Sequence, residues 1–376
     1  MHKNLSKADL LIKRFQETKK RTKILVNGLS PEDMNIQSED FVSPTKWHLA
    51  HTCWFFEQII LKKFKRNYSS YDKDFDYLFN SYYNSIGKQH QRNKRGLISR
   101  PSVEDIFNYR DDIDNRIIDL IAEKNNLEND FVFSLEVAIN HEQQHQELIL
   151  MDIQHVFFSN PIKPTYLKKE KPIKKNINHP NNIGSYLEIN PNDCFFGSEK
   201  EGFYFDNEGP QFKKKLKPFL IGTNTICNGE WKEFINNNCY ANPSLWLSDG
   251  FDFVNKENIS KPLYWIDNDY HFTLRGVQKI IDKNPVTNIS FHEAYAFAKW
   301  KNKRLPSEFE IEYLLKKSDI NGNFQEFGFL EPIEASDNHD LKNLYGNVHC
   351  SSSLIQGSMY RLLPGKDECY DGKERC

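Results

Sequence analysis

The sequence predicts an all-helical N-terminal half followed by an irregular α+β half. Three observations carry that prediction. Residues 5–158 hold four long stretches with helical apolar spacing. Residues 159–182 then contain four prolines and many lysines. From residue 183 onward, short apolar runs are separated by turn residues. At 376 residues the chain is long enough for two domains with separate cores.

The first helix carries a broken apolar stripe of Leu10, Leu11, Ile12, Phe15, Ile24 and Leu25. Ser43-Pro44 opens the second, with Ser43 as N-cap and Pro44 at the first position, where a missing N–H costs nothing. That helix is expected to end near Phe64. Residues 67–96, rich in Tyr, Asn and Asp, read as a loop. Pro101-Ser102 starts the third helix, which runs through Ile106 and Ile117 to about Ile121. The fourth covers about residues 131–158. Four such helices predict a bundle over 1–158, with any site at its core.

Residues 159–182 are expected to be a linker, and the basic run at 163–175 a solvated part of it. The α+β domain is placed at 183–348, with short runs at 184–189, 194–197 and 203–208 and helical islands at 228–236 and 290–301. Residues 349–376 form a divergent tail. No internal repeat is present.

Composition excludes several classes. A formal net charge of −2 gives no global field for nucleic acid or a membrane surface. No apolar stretch is long enough to span a bilayer, and the first residues lack the apolar core of a signal peptide. The seven cysteines (Cys53, Cys194, Cys227, Cys239, Cys350, Cys369, Cys376) are odd in number and show no CxxC spacing. They read as reduced thiols in a cytoplasm.

The most informative stretch is His141-Glu142-Gln143-Gln144-His145-Gln146-Glu147. Residues four apart share a helix face, so His141 and His145 point the same way. His48 and His51 lie on the second helix, within an aromatic run of Trp47, Trp54, Phe55 and Phe56. One of these two histidines plus the pair makes a three-imidazole site between packed helices. Imidazole suits Fe, Zn, Cu and Ni alike, so the donors do not choose the metal. His141-Glu142-x-x-His145 also fits the HExxH pattern of zinc metallopeptidases, in which the Glu is a general base. An apolar helix in a bundle core weighs against that reading. Glu147 lies about 200° around the helix from His145 and cannot easily join both histidines on one ion. It is left as either a hydrogen-bond acceptor that fixes a ring tautomer or an interhelical ion-pair partner.

At these residues the chain resembles the sulfoxide synthases of ergothioneine biosynthesis, the EgtB family. Ser43-Pro44-Thr45-Lys46-Trp47-His48-Leu49-Ala50-His51-Thr52 is similar to the family's first ligand segment, and residues 141–147 match its HxxxHxE motif. Asp206-Asn207-Glu208-Gly209-Pro210, residues 246–250, Pro262-Leu263-Tyr264-Trp265 and residues 284–300 match further segments in order. So do Arg304-Leu305-Pro306-Ser307-Glu308-Phe309-Glu310 and Gly346-Asn347-Val348. The resemblance spans roughly residues 40–348.

The resemblance implies a DinB-like four-helix bundle followed by a formylglycine-generating-enzyme-like (FGE-sulfatase, C-type-lectin-like) α+β domain. It implies mononuclear non-haem Fe(II) held by His51, His141 and His145, with His48 outside the ligand set. The implied reaction joins γ-glutamylcysteine, or cysteine, to hercynine with O2 and yields a sulfoxide. Residues 90–95 are similar to the family's HPRxxR segment, which makes Arg92 and Arg95 the implied clamps for the thiol substrate's carboxylates. Gln144 is the implied hercynine contact. Small molecules are thus the expected partners, with no nucleic acid and no membrane.

The chain departs from the family after Val348. His349-Cys350-Ser351-Ser352 stands where the family has a Trp-x-Trp-Thr segment, and the family's later strand and tyrosine have no match. Tyr360 and Tyr370 do not fit that tyrosine's surroundings, so no catalytic residue is assigned. The expectation is a second domain incomplete at its C-terminal end, a metal site that still forms, and turnover impaired or lost. Two other readings stand beside the first: a DinB-like thiol transferase or hydrolase using zinc or nickel, and a catalytically inactive vestigial relative.

Overall fold

The computed structural model describes residues 6–124, 127–167, 185–199, 202–332, 341 and 344–346. Most of the expected linker and all of the divergent tail, with Tyr360 and Tyr370, lie outside the described residues. The chain divides into two units, one ending at Tyr166 and the other beginning at Leu167.

Helix α1 (Lys7–Val26) starts at Ser6, whose hydroxyl accepts the Asp9 N–H while the Asp9 carboxylate accepts the Ser6 N–H. Its inward face is Leu11, Phe15, Thr18, Lys19, Thr22, Leu25 and Val26. That face differs from the expected stripe, because Leu10 and Ile24 point to solvent. The reason is polar. Thr22 and Lys19 reach a buried carboxylate on another helix, so an apolar tally misjudges the phase.

Helix α2 (Thr45–Phe56) is buried at all 12 of its residues, as a helix at the centre of a bundle must be. Pro44, and not Ser43, occupies the cap position. The Ser43 N–H donates to Asp152 at 2.9 Å, and its hydroxyl accepts from Arg95 at 2.8 Å, so this serine ties three segments together and caps none. The helix continues through a π turn (Glu57–Leu61) and a last α turn (Lys62–Phe64), ending where the sequence predicts.

The loop that follows is pinned from within. Buried Glu57 accepts from the Tyr68 hydroxyl at 2.6 Å, the Tyr71 N–H at 2.8 Å and the Tyr109 hydroxyl. Buried Asn80 donates to the carbonyls of Tyr83 and Gly87 and accepts the Tyr83 N–H.

Helix α3 (Val103–Glu123) opens on a Ser102/Asp105 capping box, and α4 (Asn129–Ser159) is the longest element. Helix α2 packs against α3 and α4, and α1 packs against the same two. Between them lies a buried ionic cluster. Glu142 of α4 accepts from Arg110 at 2.6 Å and Thr22 at 2.7 Å, and pairs with Lys19 at 2.6 Å. Arg110 also donates to the Leu49 carbonyl and the Thr52 hydroxyl, which ties α3 to α2.

The second unit has few and short strands. Tyr186–Ile189 pairs antiparallel with Phe219–Gly222, Cys194–Phe196 with Phe212–Lys214, and Tyr270–Thr273 with Gly276–Lys279. The expected helices occur at Asn228–Asn236 and Phe291–Trp300. Two more, Ser248–Lys256 and Glu308–Lys316, were not expected. The second of these carries a Ser307/Glu310 capping box that the sequence does display. The core is aromatic: Trp231 stacks on Phe297 at 4.9 Å, with Phe234, Tyr240 and Trp246 around them.

Candidate metal centre

Packing of α2 on α4 brings His51 against His141 and His145. All three are buried, and one nitrogen from each ring lies within 4.8 Å of the others. Ring centroids are 4.6–5.1 Å apart, and the ring planes are inclined at 54–69°. The imidazoles are therefore T-shaped or tilted to one another rather than stacked. Lone pairs from three rings can converge on one point only in such an arrangement.

Neighbours fix the rings. The His51 Nδ1–H donates to the Phe79 carbonyl at 2.6 Å, which leaves Nε2 as the ligating atom. That carbonyl precedes Asn80, so the pinned loop supplies it. His145 Nδ1 lies 2.8 Å from His48 Nδ1, and His48 Nε2 lies 2.9 Å from an Asp152 carboxylate oxygen. Aromatic walls enclose the group. Trp47 stacks on His51 at 4.5 Å with planes 10° apart, Trp54 stacks at 5.5 Å, and Phe55 lies 4.1 Å from His141.

Burial holds the His51 and His145 imidazoles well below the usual histidine range, and the charges of His141 and Arg95 push the same way. Both rings are thus neutral at ordinary pH, the state in which imidazole binds a metal. Three convergent imidazole nitrogens fit a divalent transition ion and leave room for further ligands on it.

Glu142 cannot serve as the base of an HExxH peptidase. Its side chain is fully buried and turned into the α1–α3 interface, away from the ring edges. Burial would raise its pKa, but Arg110 and Lys19 outweigh that and bring it to about 2. Glu147 is exposed on α4. The carboxylate behind the histidines is Asp152, which the sequence reading missed together with the role of His48. The signal was present, since Asp152 lies seven residues after His145 and so returns to the same helix face.

The other site residues predicted from sequence are placed as follows. Arg95 is buried, with its guanidinium 3.3 Å from the Trp47 ring. Arg92 is half-buried and donates to the Phe41 carbonyl at 2.5 Å. Gln144 is half-buried beside His145, and Gln143 is exposed. A cavity of about 420 Å³, lined by Phe55, Gln58, Tyr83 and Phe133 among others, reaches the aromatic wall of the triad through Phe55 and Tyr83. No helix among the described residues is long and apolar enough to cross a membrane.

Comparison with known proteins agrees with this organisation. Residues 14–149 match the DinB superfamily, and residues 179–349 match the sulfatase-modifying factor enzyme 1-like domain. The chain is 27% identical over 225 residues to a hercynine oxygenase of Mycolicibacterium smegmatis, covering 59% of this chain and 50% of that protein. It is 33% identical over 108 residues to a hercynine oxygenase of Mycobacterium tuberculosis, covering 28% and 25%. To that of Mycolicibacterium thermoresistibile it is 24% identical over 187 residues, covering 48% and 39%. The chain thus spans half or less of the length of these relatives. The chain therefore carries a DinB region followed by a sulfatase-modifying-factor region and is similar to three proteins named hercynine oxygenase.

Proposed function

We propose that this protein is an Fe(II)- and O2-dependent sulfoxide synthase that joins the thiol of γ-glutamylcysteine, or of cysteine, to hercynine in ergothioneine biosynthesis. The buried, convergent triad of His51, His141 and His145 carries the reading, and the name of the relatives, hercynine oxygenase, supports hercynine as one substrate. Iron, when bound, supplies the one-electron chemistry toward O2 that side chains lack. The chain's own residues hold and orient. The three imidazoles anchor the ion in a site walled by Trp47, Trp54 and Phe55, which limits water. Arg92 and Arg95, both on the turn Arg92–Leu97, are the proposed partners of the thiol substrate's carboxylates. Gln144, next to His145, is the proposed contact for hercynine. Holding both substrates beside one centre turns a multi-body encounter into a local one. Seven cysteines without CxxC spacing support a cytoplasmic setting for the reaction.

The test is to load the protein with Fe(II) without oxygen, then admit O2 with hercynine and either thiol. Oxygen uptake and a sulfoxide mass that require both organic substrates support the reading. Bound iron without product would favour an inactive relative. Tight zinc or nickel binding with no oxygen uptake would favour a thiol transferase or hydrolase.

A further inference from the structure

We propose that His48 and Asp152 are positioning residues that lock His145 into the one tautomer able to bind metal. This rests on the triad being a metal centre.

The argument follows the hydrogen-bond chain. One Asp152 carboxylate oxygen accepts the Ser43 N–H at 2.9 Å and lies 2.9 Å from His48 Nε2. A carboxylate only accepts, so His48 Nε2 carries the proton and donates it. A neutral imidazole has one N–H, which leaves His48 Nδ1 as a lone pair. That lone pair faces His145 Nδ1 at 2.8 Å, and the proposal assigns the shared proton to His145 Nδ1. Its own lone pair is then on Nε2. The chain thus runs from the Ser43 backbone through Asp152 and His48 to His145, and all four residues are buried.

The effect differs from that at His51, where a backbone carbonyl suffices. At His145 a second histidine extends the reach of a carboxylate that comes from the same helix, two turns further on. His48 sits three residues before His51 on α2, so α2 supplies both a ligand-position ring and the support of its neighbour. Outer partners of this kind orient a ligating ring and raise its basicity, and their loss typically weakens metal binding about 10–100-fold.

The test uses the full chain with Zn(II) as a diamagnetic probe. Nitrogen NMR of the histidine rings in the zinc-loaded wild type should find the His145 proton on Nδ1. A proton on Nε2 would overturn the proposal, whatever the variants do. Zinc affinity is then measured by competition with a chromophoric chelator for His48→Phe and Asp152→Asn, alongside melting of the metal-free proteins. His48→Phe should bind about 10–100-fold more weakly, and Asp152→Asn should fall between it and the wild type. Lower melting temperatures with unchanged zinc affinity would make the pair merely structural and overturn the lock. If His48→Phe fails to fold, Asp152→Asn and the wild-type spectrum decide. Loss of zinc in His51→Ala with no change in His48→Phe would leave the metal centre standing and remove only this inference. A wild type that takes up no metal would remove both.

Discussion

Arg110 and Glu142 meet at 2.6 Å with both side chains wholly buried, and Glu142 directly follows His141 on α4. Glu142→Gln leaves Arg110 without its paired carboxylate and Lys19 with Asp114 alone, at 3.2 Å. Breaking such a buried pair costs about 3–5 kcal/mol, so the first unit should melt much earlier. Thermal or urea unfolding measures this. A variant with wild-type stability would mean that the cluster is not as tightly coupled as its distances indicate.

The same carboxylate predicts an acid limit. Its pKa is lowered from 4.5 to about 2 in the folded chain. A depressed folded pKa stabilises fully above the unfolded value and is lost as pH falls through the folded one. Stability of the first unit should therefore decline between about pH 4.5 and pH 2, less steeply in Glu142→Gln. Unfolding curves across that window check the sign.

Removing a ring from the triad should cost more than removing its support. His141→Ala leaves two imidazoles, and metal affinity should drop beyond the roughly 10–100-fold expected for an outer partner. Chelator competition with Fe(II) or Zn(II) gives the comparison. Equal affinities in His141→Ala and the wild type would place the metal elsewhere.

The loop behind His51 should act on the site at a distance. Asn80→Ala deletes three hydrogen bonds that hold residues 80–87 in place. Buried polar groups left without partners cost about 1–3 kcal/mol. Because Phe79 and its carbonyl sit next to Asn80, metal affinity should fall along with stability. A stability loss alone would show that the carbonyl stays in place without the asparagine.

The residues explain what could be read before any fold was known. His141 and His145 announce themselves because four residues is one helix turn, and Ser102 announces α3 because Asp105 completes its cap. The inward face of α1 was misread because Thr18, Lys19 and Thr22 look like surface residues until the partner carboxylate on α4 is known. Ser43 looked like a cap because its type and its Pro44 neighbour fit one, yet its N–H and hydroxyl are claimed by Asp152 and Arg95. The support of His51 could not be read at all, since a backbone carbonyl leaves no mark in the sequence.

The all-round burial of α2 has a consequence for how this chain can change over generations. A helix with one wet face offers positions where substitutions drift freely; Thr45–Phe56 offers none. Two histidines that serve the site share that stretch with Trp47, Trp54 and Phe56, which fill the bundle's interior. A lineage that no longer needed the chemistry would still keep most of this segment in order to fold. The spelling of α2 is therefore a poor gauge of whether a descendant is active, and the ring positions on α4 and the Phe79–Asn80 loop are the places to watch.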